Sequence, residues 1–161
     1  LTLYTQRNHE GHVSVRRPLS SPLPLGANDG GADMNKSLPK SDGSSFFLCE
    51  DVREEVNNKL SIIGVFQNDN IVLQKEIVIP ALMAVLFARG GEGSCETRVS
   101  LTDPKGQTVI ESPKRTVVLE KDAIYLAAVR VLAPELIVGR YTINFFFDDV
   151  PIQRTFEVKK A

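Results

Sequence analysis

The densest group of acidic side chains follows the first aromatic segment of the chain. Four carboxylates fall within six consecutive positions, at Glu50, Asp51, Glu54 and Glu55. Carboxylate oxygens are preferred ligands of Ca²⁺, and two carboxyl groups in different environments can carry acid–base hydrolysis. The structural alternative is an exposed strand end, where Arg53 offsets the carboxylates and Asp51 accepts backbone N–H bonds in a turn. We therefore single out Asp51 and Arg53 as candidate positions.

Two other oxygen-rich segments lie far apart in the sequence. Asn68–Asn70 reads Asn-Asp-Asn, and Asp148-Asp149 interrupts the last apolar stretch. If both met at one end of the fold, their oxygens would suit calcium. Asp and Asn are also ordinary turn residues, because their short side chains hydrogen-bond to the local backbone. A calcium- or small-ligand-binding sandwich is therefore an alternative function, and we predict no cofactor and no metal ligand.

Histidine is absent from residues 45–161, since His9 and His12 are the only two in the chain. This excludes Ser-His-Asp and Cys-His nucleophile systems and His-ligated zinc from that segment. Neither a G-x-G-x-x-G nor a P-loop pattern is present. A hydrolase that works with paired carboxylates alone is a third reading. We predict no catalytic residue and a protein that is not an enzyme.

Phe146 is the candidate for an interaction. Alternation predicts that Tyr141, Ile143, Phe145 and Phe147 share one face of a strand, so that Phe146 points to the other. An aromatic side chain on an outer face can anchor a partner or a second copy of the chain. The alternative is a strand that is covered on both sides, with Phe146 in a core.

The composition divides the chain near residue 45. All eight Phe lie at or after Phe46, whereas the first 44 residues are rich in Ser, Pro, Gly and Asn. Such a segment buries too little apolar surface to offset its ordering entropy, which predicts a disordered tail at 1–44 and one domain at 45–161. Because the first Met is Met34, we expect residues 1–33 to be upstream or added sequence.

Charge and cysteine content restrict the partners and the location. The net charge is −1, so the basic footprint that nucleic-acid binding requires is absent. The longest apolar run, residues 77–88, is too short to cross a bilayer, and no export signal precedes it. We expect a cytoplasmic protein in which Cys49 and Cys95 are reduced and buried. A disulfide between these two cysteines is the alternative.

The elements that must position these residues are strands. Residues 95–102 have a period of two that predicts one buried face, with Cys95, Thr97, Val99 and Leu101, and one exposed face. Asp103–Gly106 has the residue preferences of a type I turn. The segment Ile77–Ala88 contains helix-favouring residues, but its short length and the following glycines favour a strand. Hairpins are predicted around Asn57-Asn58 and Asp148-Asp149. The fold class is all-β, an immunoglobulin-like antiparallel β-sandwich of about eight or nine strands.

The segment Phe47–Phe66 resembles the opening of a bacterial family that is known only as a domain of unknown function. The resemblance rests on a Cys-acid-Asp-Val-Arg signature at Cys49–Arg53, followed by Lys-Leu-Ser-Ile-Ile-Gly at Lys59–Gly64. A Pro-led apolar strand, the DPKG turn and a closing GRYTINF hairpin are also similar, so the resemblance extends over about residues 45–158. It implies a bacterial cytoplasmic origin and a start at Met34, and it implies no activity. The sequence as a whole therefore predicts a non-catalytic protein-interaction or structural module, with a protein partner or a homo-oligomer, and with neither nucleic acid nor membrane.

Overall fold

Most of the described chain forms β-strands. The structure is a computed structural model, and it describes residues 4–6, 36–56, 59–74, 79, 81–132 and 134–161. Within these residues the helical structure is one 3₁₀ turn, η1 (Gln67–Asp69). The strands are β1 (Tyr4–Gln6), β2 (Ser45–Cys49), β3 (Asp51–Glu55), β4 (Lys59–Ile63), β5 (Asn70–Leu73), β6 (Ala81–Arg89), β7 (Gly93–Thr102), β8 (Thr108–Glu111), β9 (Arg115–Leu119), β10 (Ile124–Leu132), β11 (Gly139–Phe147) and β12 (Val150–Lys160).

Two sheets pack face to face. The first has the strand order β1-β10-β6-β2, and every pairing in it is antiparallel. The second has the order β5-β12-β11-β7, and both β8 and β9 pair with the outer edge of β7. The pairing of β5 with β12 is parallel. This arrangement confirms the predicted immunoglobulin-like β-sandwich.

The main core lies between the two sheets and follows the predicted alternation. In β11, Tyr141, Ile143, Phe145 and Phe147 are between 0% and 3% exposed. They face inward-pointing side chains of β6 and β10, and the Tyr125 ring meets the Phe147 ring edge-on at 5.6 Å. Burying an aromatic side chain of this size contributes about 1.5–3 kcal/mol, so β11 supplies a large share of the apolar stabilisation.

A second, smaller core lies on the outer side of the four-stranded sheet. The hairpin β3–β4 forms a separate two-stranded sheet that lies across it. Val52, Leu60 and Ile62 of the hairpin pack against outward-facing apolar residues of the larger sheet. Those residues are Cys49, Met83, Val85, Leu126 and Ala128.

Residues 81–88 of the helix-prone segment lie in strand β6, as predicted, whereas residues 77, 78 and 80 lie outside the described residues. Strand β6 pairs with β10 along one edge and with β2 along the other, which makes it a central strand. One face packs in the main core and the other in the second core, and the inward Leu86 and the outward Val85 are both fully buried. A strand that is buried on both faces needs an almost unbroken apolar sequence, and this explains the ambiguous pattern.

The first aromatic segment differs from its prediction. A single strand was expected over residues 45–52, but the chain bends at Glu50 and passes from one sheet to another. The Glu50 N–H donates to the carbonyl oxygens of Ile63 and Gly64, so it leaves the ladder of the larger sheet. Breaks of this kind raise the number of strands in the described part of residues 45–161 to eleven, above the expected eight or nine.

Two of the three predicted turns are confirmed, and the third, Asn57-Asn58, lies outside the described residues, although the strands that flank it pair as a hairpin. Asp103 Oδ1 accepts the N–H groups of Lys105 and Gln107, and Gly106 closes the turn with a positive φ of 81°. Asp148 and Asp149 both have positive φ, at 49° and 65°, and they join β11 to β12 as a two-residue hairpin loop. Positive φ at both positions is the geometry of a type I′ turn, in which Asp is among the tolerated residues.

Residues 36–44 of the predicted tail make defined contacts with the sandwich. Ser37 and Glu92 exchange two backbone hydrogen bonds of 3.0 Å. The Arg154 guanidinium donates to the carbonyl oxygens of Ser41 (2.9 Å) and Ser44 (3.2 Å). This segment therefore runs along the domain as a strap.

The remainder of the predicted tail lies outside the described residues, apart from β1. Tyr4–Gln6 pairs with Ile124–Leu126 of β10. The boundary at residue 45 and the expected start at Met34 stay predictions. In the part of the chain that the structure describes, no helix is long and apolar enough to cross a membrane.

Candidate functional site

Asp51 and Arg53 form an ion pair on the exposed side of the β3–β4 hairpin. They are two residues apart on β3, so they share one face, while Val52 between them points into the second core. Arg53 Nε lies 2.9 Å from Asp51 Oδ2, and the two side chains are 66% and 26% exposed. An exposed pair of this kind adds little stability. The geometry of this pair therefore supports the structural alternative, in which the acidic signature is an exposed strand end.

Neighbouring arginines determine the direction in which the pKa of the Asp51 carboxyl is shifted. The hydrogen bond from Arg53 lowers the pKa of the Asp51 carboxyl, and the charges of Arg130 and Arg53 act in the same direction. A general acid needs a raised pKa, so the sign of this shift argues against that role. Asp51 stays ionised and serves the local ion pair.

The other carboxylates of the signature point in different directions. Glu55 accepts a hydrogen bond from the Ser61 hydroxyl across the hairpin. Glu50 lies over Gly64, where an added Cβ would come within 2.6 Å of Glu50 Oε2. Among the described residues, no group of three or more His, Cys, Asp or Glu side chains is arranged to hold a metal ion. The acidic signature therefore does not assemble as a calcium site.

The two oxygen-rich loops lie at opposite ends of β12. Asn70 pairs with Glu157 near the C-terminal end of that strand, whereas Asp148-Asp149 immediately precedes its first residue, Val150. At the rise of a strand, this separation is roughly 20 Å or more. The condition for a shared calcium site, that the loops meet, is not fulfilled.

Phe146 lies on the outer face of the six-stranded sheet, as the alternation predicts. Its ring is partly buried, whereas Phe145 and Phe147 are each 1% exposed. In the sheet it lies between Arg98 on β7 and Pro151 on β12. The Arg98 guanidinium lies over the Phe146 ring, with Cζ 3.6 Å from the ring centroid. The structure thus adds Arg98 to the candidate site.

Arg98 and Phe146 are bordered by a network of exposed ion pairs. Arg98 lies 3.2 Å from Glu111 and 3.7 Å from Asp149. Lys114 lies 3.0 Å from Glu96 and 3.8 Å from Asp149, and the bond to Glu96 is the main reason for its raised pKa. Four different strands and turns contribute these groups, so only the register of the sheet, and no sequence motif, brings them together.

A small void behind Phe146 gives no room for a substrate. It has a volume of about 10 Å³ and is lined by Thr97, Val99, Ala127 and the phenylalanines of β11, among others. This volume holds one water molecule at most. The chemistry that this region can offer is contact at its surface.

The cysteines lie in different cores. Cys49 is in the second core and Cys95 is in the main core, on opposite sides of the four-stranded sheet, and both are free. Burial is the main cause that raises the pKa of each thiol to about 11. The expectation of reduced, buried thiols is confirmed, and the disulfide alternative is wrong.

The comparison with protein families decides the relationship. The model of a family of unknown function, DUF6941, matches residues 44–158. The chain belongs to DUF6941. The suspected resemblance to a domain of unknown function is thereby confirmed, and DUF6941 carries no assigned activity to transfer. The match begins one residue before the expected domain start.

The comparisons with curated proteins and with solved structures add little to the family match. No curated protein matches. Among solved structures, the chain is similar to the CARDB domain of the PF1109 protein from Pyrococcus furiosus, which was solved in complex with di-metal ions. The two share 16% identity with a TM-score of 0.34, over 78% of this chain and 95% of that one.

Proposed function

We propose that this DUF6941 domain is a non-catalytic protein-interaction module, which binds a protein partner or a second copy of itself. The binding surface is the outer face of the six-stranded sheet around Arg98 and Phe146. The observation that carries the proposal is the Arg98 guanidinium, stacked on a partly exposed phenylalanine and not covered by any strand of the described chain.

The chemistry of this surface is that of an interface centre. Arginine and aromatic side chains are enriched at the residues that dominate binding energy in interfaces. Stacking on Phe146 holds Arg98 in one orientation before a partner arrives, and this reduces the entropy that binding would otherwise cost. The surrounding Glu111, Lys114 and Asp149 are exposed and form the polar rim that such a centre requires.

The proposal includes a bacterial cytoplasmic location. The resemblance of the Cys49–Arg53 signature to bacterial sequences supports it. The two free, buried thiols are consistent with a reducing compartment.

The test compares two variants of the full chain that each remove one apolar side chain from the same sheet face. Phe146→Ser removes the proposed centre. Val118→Ser is the matched control, because Val118 is 63% exposed on β9. Light scattering reports the oligomeric state, and a pull-down with each tagged variant reports a near-stoichiometric partner. Thermal unfolding shows that each variant is folded.

Phe146→Ser should abolish self-association or partner capture, while Val118→Ser retains it. Since Phe146 is only partly buried, its loss should lower Tm by about 4 °C per kcal/mol of stability, and the domain stays folded at 25 °C. A wild-type chain that is monomeric and captures no partner would refute the proposal. So would equal retention by both variants.

A further inference from the structure

The outer face of the six-stranded sheet has an uncharged centre. The register places four threonines side by side on neighbouring strands, in one row across the sheet. They are Thr155 on β12, Thr142 on β11, Thr102 on β7 and Thr108 on β8. The next row toward Phe146 holds Gln153, Asn144 and Ser100. Charged side chains are depleted at the centre of protein interfaces, and the centre of this face meets that condition.

The charges of the outer face lie at its two ends, and the ends differ in sign. The end around Phe146 carries three acidic and two basic side chains, which are Glu96, Glu111, Asp149, Arg98 and Lys114. The opposite end carries two basic side chains and one acidic, which are Arg140, Lys159 and Glu157. The first end is therefore net acidic, the second is net basic, and together they are neutral.

Neighbouring turns leave this polarity unchanged. Beside the acidic end, the ion pair of Lys36 with Asp148 adds one charge of each sign. Beside the basic end, the turn Asp103–Gly106 also adds one acidic and one basic residue. The difference in sign between the two ends therefore comes from the outer face itself.

We propose that the occupant of this face is a second copy of the chain, packed face to face with its ends exchanged, and this rests on the interaction surface proposed above. A two-fold axis that lies between the two faces and runs across the strands produces this arrangement. The acidic end of each copy then lies over the basic end of the other. A partner of one dominant charge would be attracted to one end and repelled by the other, whereas a second copy matches both.

The size of the face suits such a pair. Its longest strands, β7, β11 and β12, have 10, 9 and 11 residues. At the rise and spacing of β-strands, the face measures about 30 Å by about 24 Å, or roughly 700 Å². Each partner of a standard protein interface buries about 800 Å². A mostly polar interface of this size predicts a reversible dimer with Kd in the micromolar range.

The experiment reverses one end of the face at a time in the full chain. Arg140→Glu combined with Lys159→Glu makes the basic end acidic. Glu111→Lys combined with Asp149→Asn makes the acidic end basic, and asparagine tolerates the positive φ of that turn. Sedimentation velocity at low salt measures dimerisation of each variant and of an equimolar mixture of the two. Thermal unfolding shows that each variant is folded.

The wild type should form a dimer. Each end variant alone should dimerise at least about tenfold more weakly, because its reversed end meets an end of the same sign. The mixture should recover the wild-type affinity, since each reversed end then meets its opposite. The matched control is Arg89→Glu combined with Arg130→Glu, two exposed positions on the four-stranded sheet, and it should dimerise as the wild type does.

Three results would overturn the second copy as the occupant. They are a wild-type chain that is monomeric at millimolar concentration, a control that loses as much affinity as the end variants, and a mixture that binds no better than either variant alone. If a monomeric wild type still captures a protein partner that Phe146→Ser loses, the interaction surface stands and the second copy alone is excluded.

Discussion

The stacking of Arg98 on Phe146 predicts a coupling energy that can be measured. The guanidinium lies 3.6 Å from the ring centroid, and the Arg98 side chain is 23% exposed. A cation over an aromatic face is worth about 0.5–1 kcal/mol at exposed sites and about 2 kcal/mol when desolvated. For this partly desolvated pair we expect about 1 kcal/mol.

The competing explanation is that ion pairs with two carboxylates, those of Glu111 and Asp149, hold Arg98 in position. Glu111 and Asp149 are 60% and 74% exposed, and ion pairs at such exposure contribute about 0.5 kcal/mol or less. Salt separates the two explanations. At about 1 M ionic strength the screening length is about 3 Å, which removes most of an exposed ion pair and leaves the contact with the ring.

The assay is a pair of double-mutant cycles in urea, at low salt and in about 1 M NaCl. One cycle combines Arg98→Met with Phe146→Leu, which keeps apolar volume at both positions. The other combines Arg98→Met with Glu111→Gln. The first coupling should be about 1 kcal/mol and should persist in salt. The second should be about 0.5 kcal/mol or less and should vanish.

A Phe146 coupling below about 0.3 kcal/mol, or one that falls with salt as the Glu111 coupling does, would refute the reasoning. Arg98 would then be held by exposed carboxylates alone. The proposed binding surface depends on a guanidinium that the Phe146 ring orients before a partner binds, and that argument would then fail.

Three further outcomes concern contacts elsewhere in the sandwich. Ser112→Ala should cost about 1–3 kcal/mol in urea unfolding, because its hydroxyl accepts the buried Val99 N–H at 2.8 Å. Asp149→Gly should add about 0.5 kcal/mol, because glycine tolerates the φ of 65° at no steric cost and the exposed ion pairs with Arg98 and Lys114 that the change removes offset only part of this gain. Burial raises the pKa of Cys49 and Cys95, so the unfolding free energy should fall as pH rises from about 9 to about 11, where unfolded thiols ionise and folded thiols do not.

Each of these outcomes has a matched comparison. Ser94→Ala, an exposed change on β7, should cost almost nothing, and an equal loss would contradict the role of Ser112. Asp148→Gly should show no gain, because Asp148 accepts the Glu96 N–H at 2.9 Å and pairs with Lys36. A variant with both cysteines changed to Ala should lose the alkaline decline, and persistence of that decline would assign it to other groups.

Local sequence patterns were sufficient to predict the strands that have one face in the core and one face directed outward. The alternation of residues 95–102 and 141–147 predicted which side chains of β7 and β11 fill the core. Asp103 and Gly106 predicted a turn because their side-chain bonding and positive φ are local properties. The outward direction of Phe146 followed from the same period of two.

The sequence did not predict which distant strands pair with each other, or in which register. The bend at Glu50 sends β2 and β3 into different sheets, and its cause is the carbonyl groups of Ile63 and Gly64, more than ten residues away. The position of Arg98 over Phe146 depends on the register of β7 against β11. One unknown register leaves every cross-strand neighbour undetermined, and this is why the aromatic residue was predicted and its cationic partner was not.

The position of β12 within its sheet has a consequence for folding during synthesis. β12 lies between β11 and β5, and Arg154 within it also holds the strap at Ser41, which is 113 residues earlier in the chain. None of these pairings can form until the ribosome has released β12. Until then the edges of the earlier strands that pair with β12 stay unpaired, and contacts between such distant residues form slowly. A chain stopped before β12 should therefore be a target for chaperones and proteases.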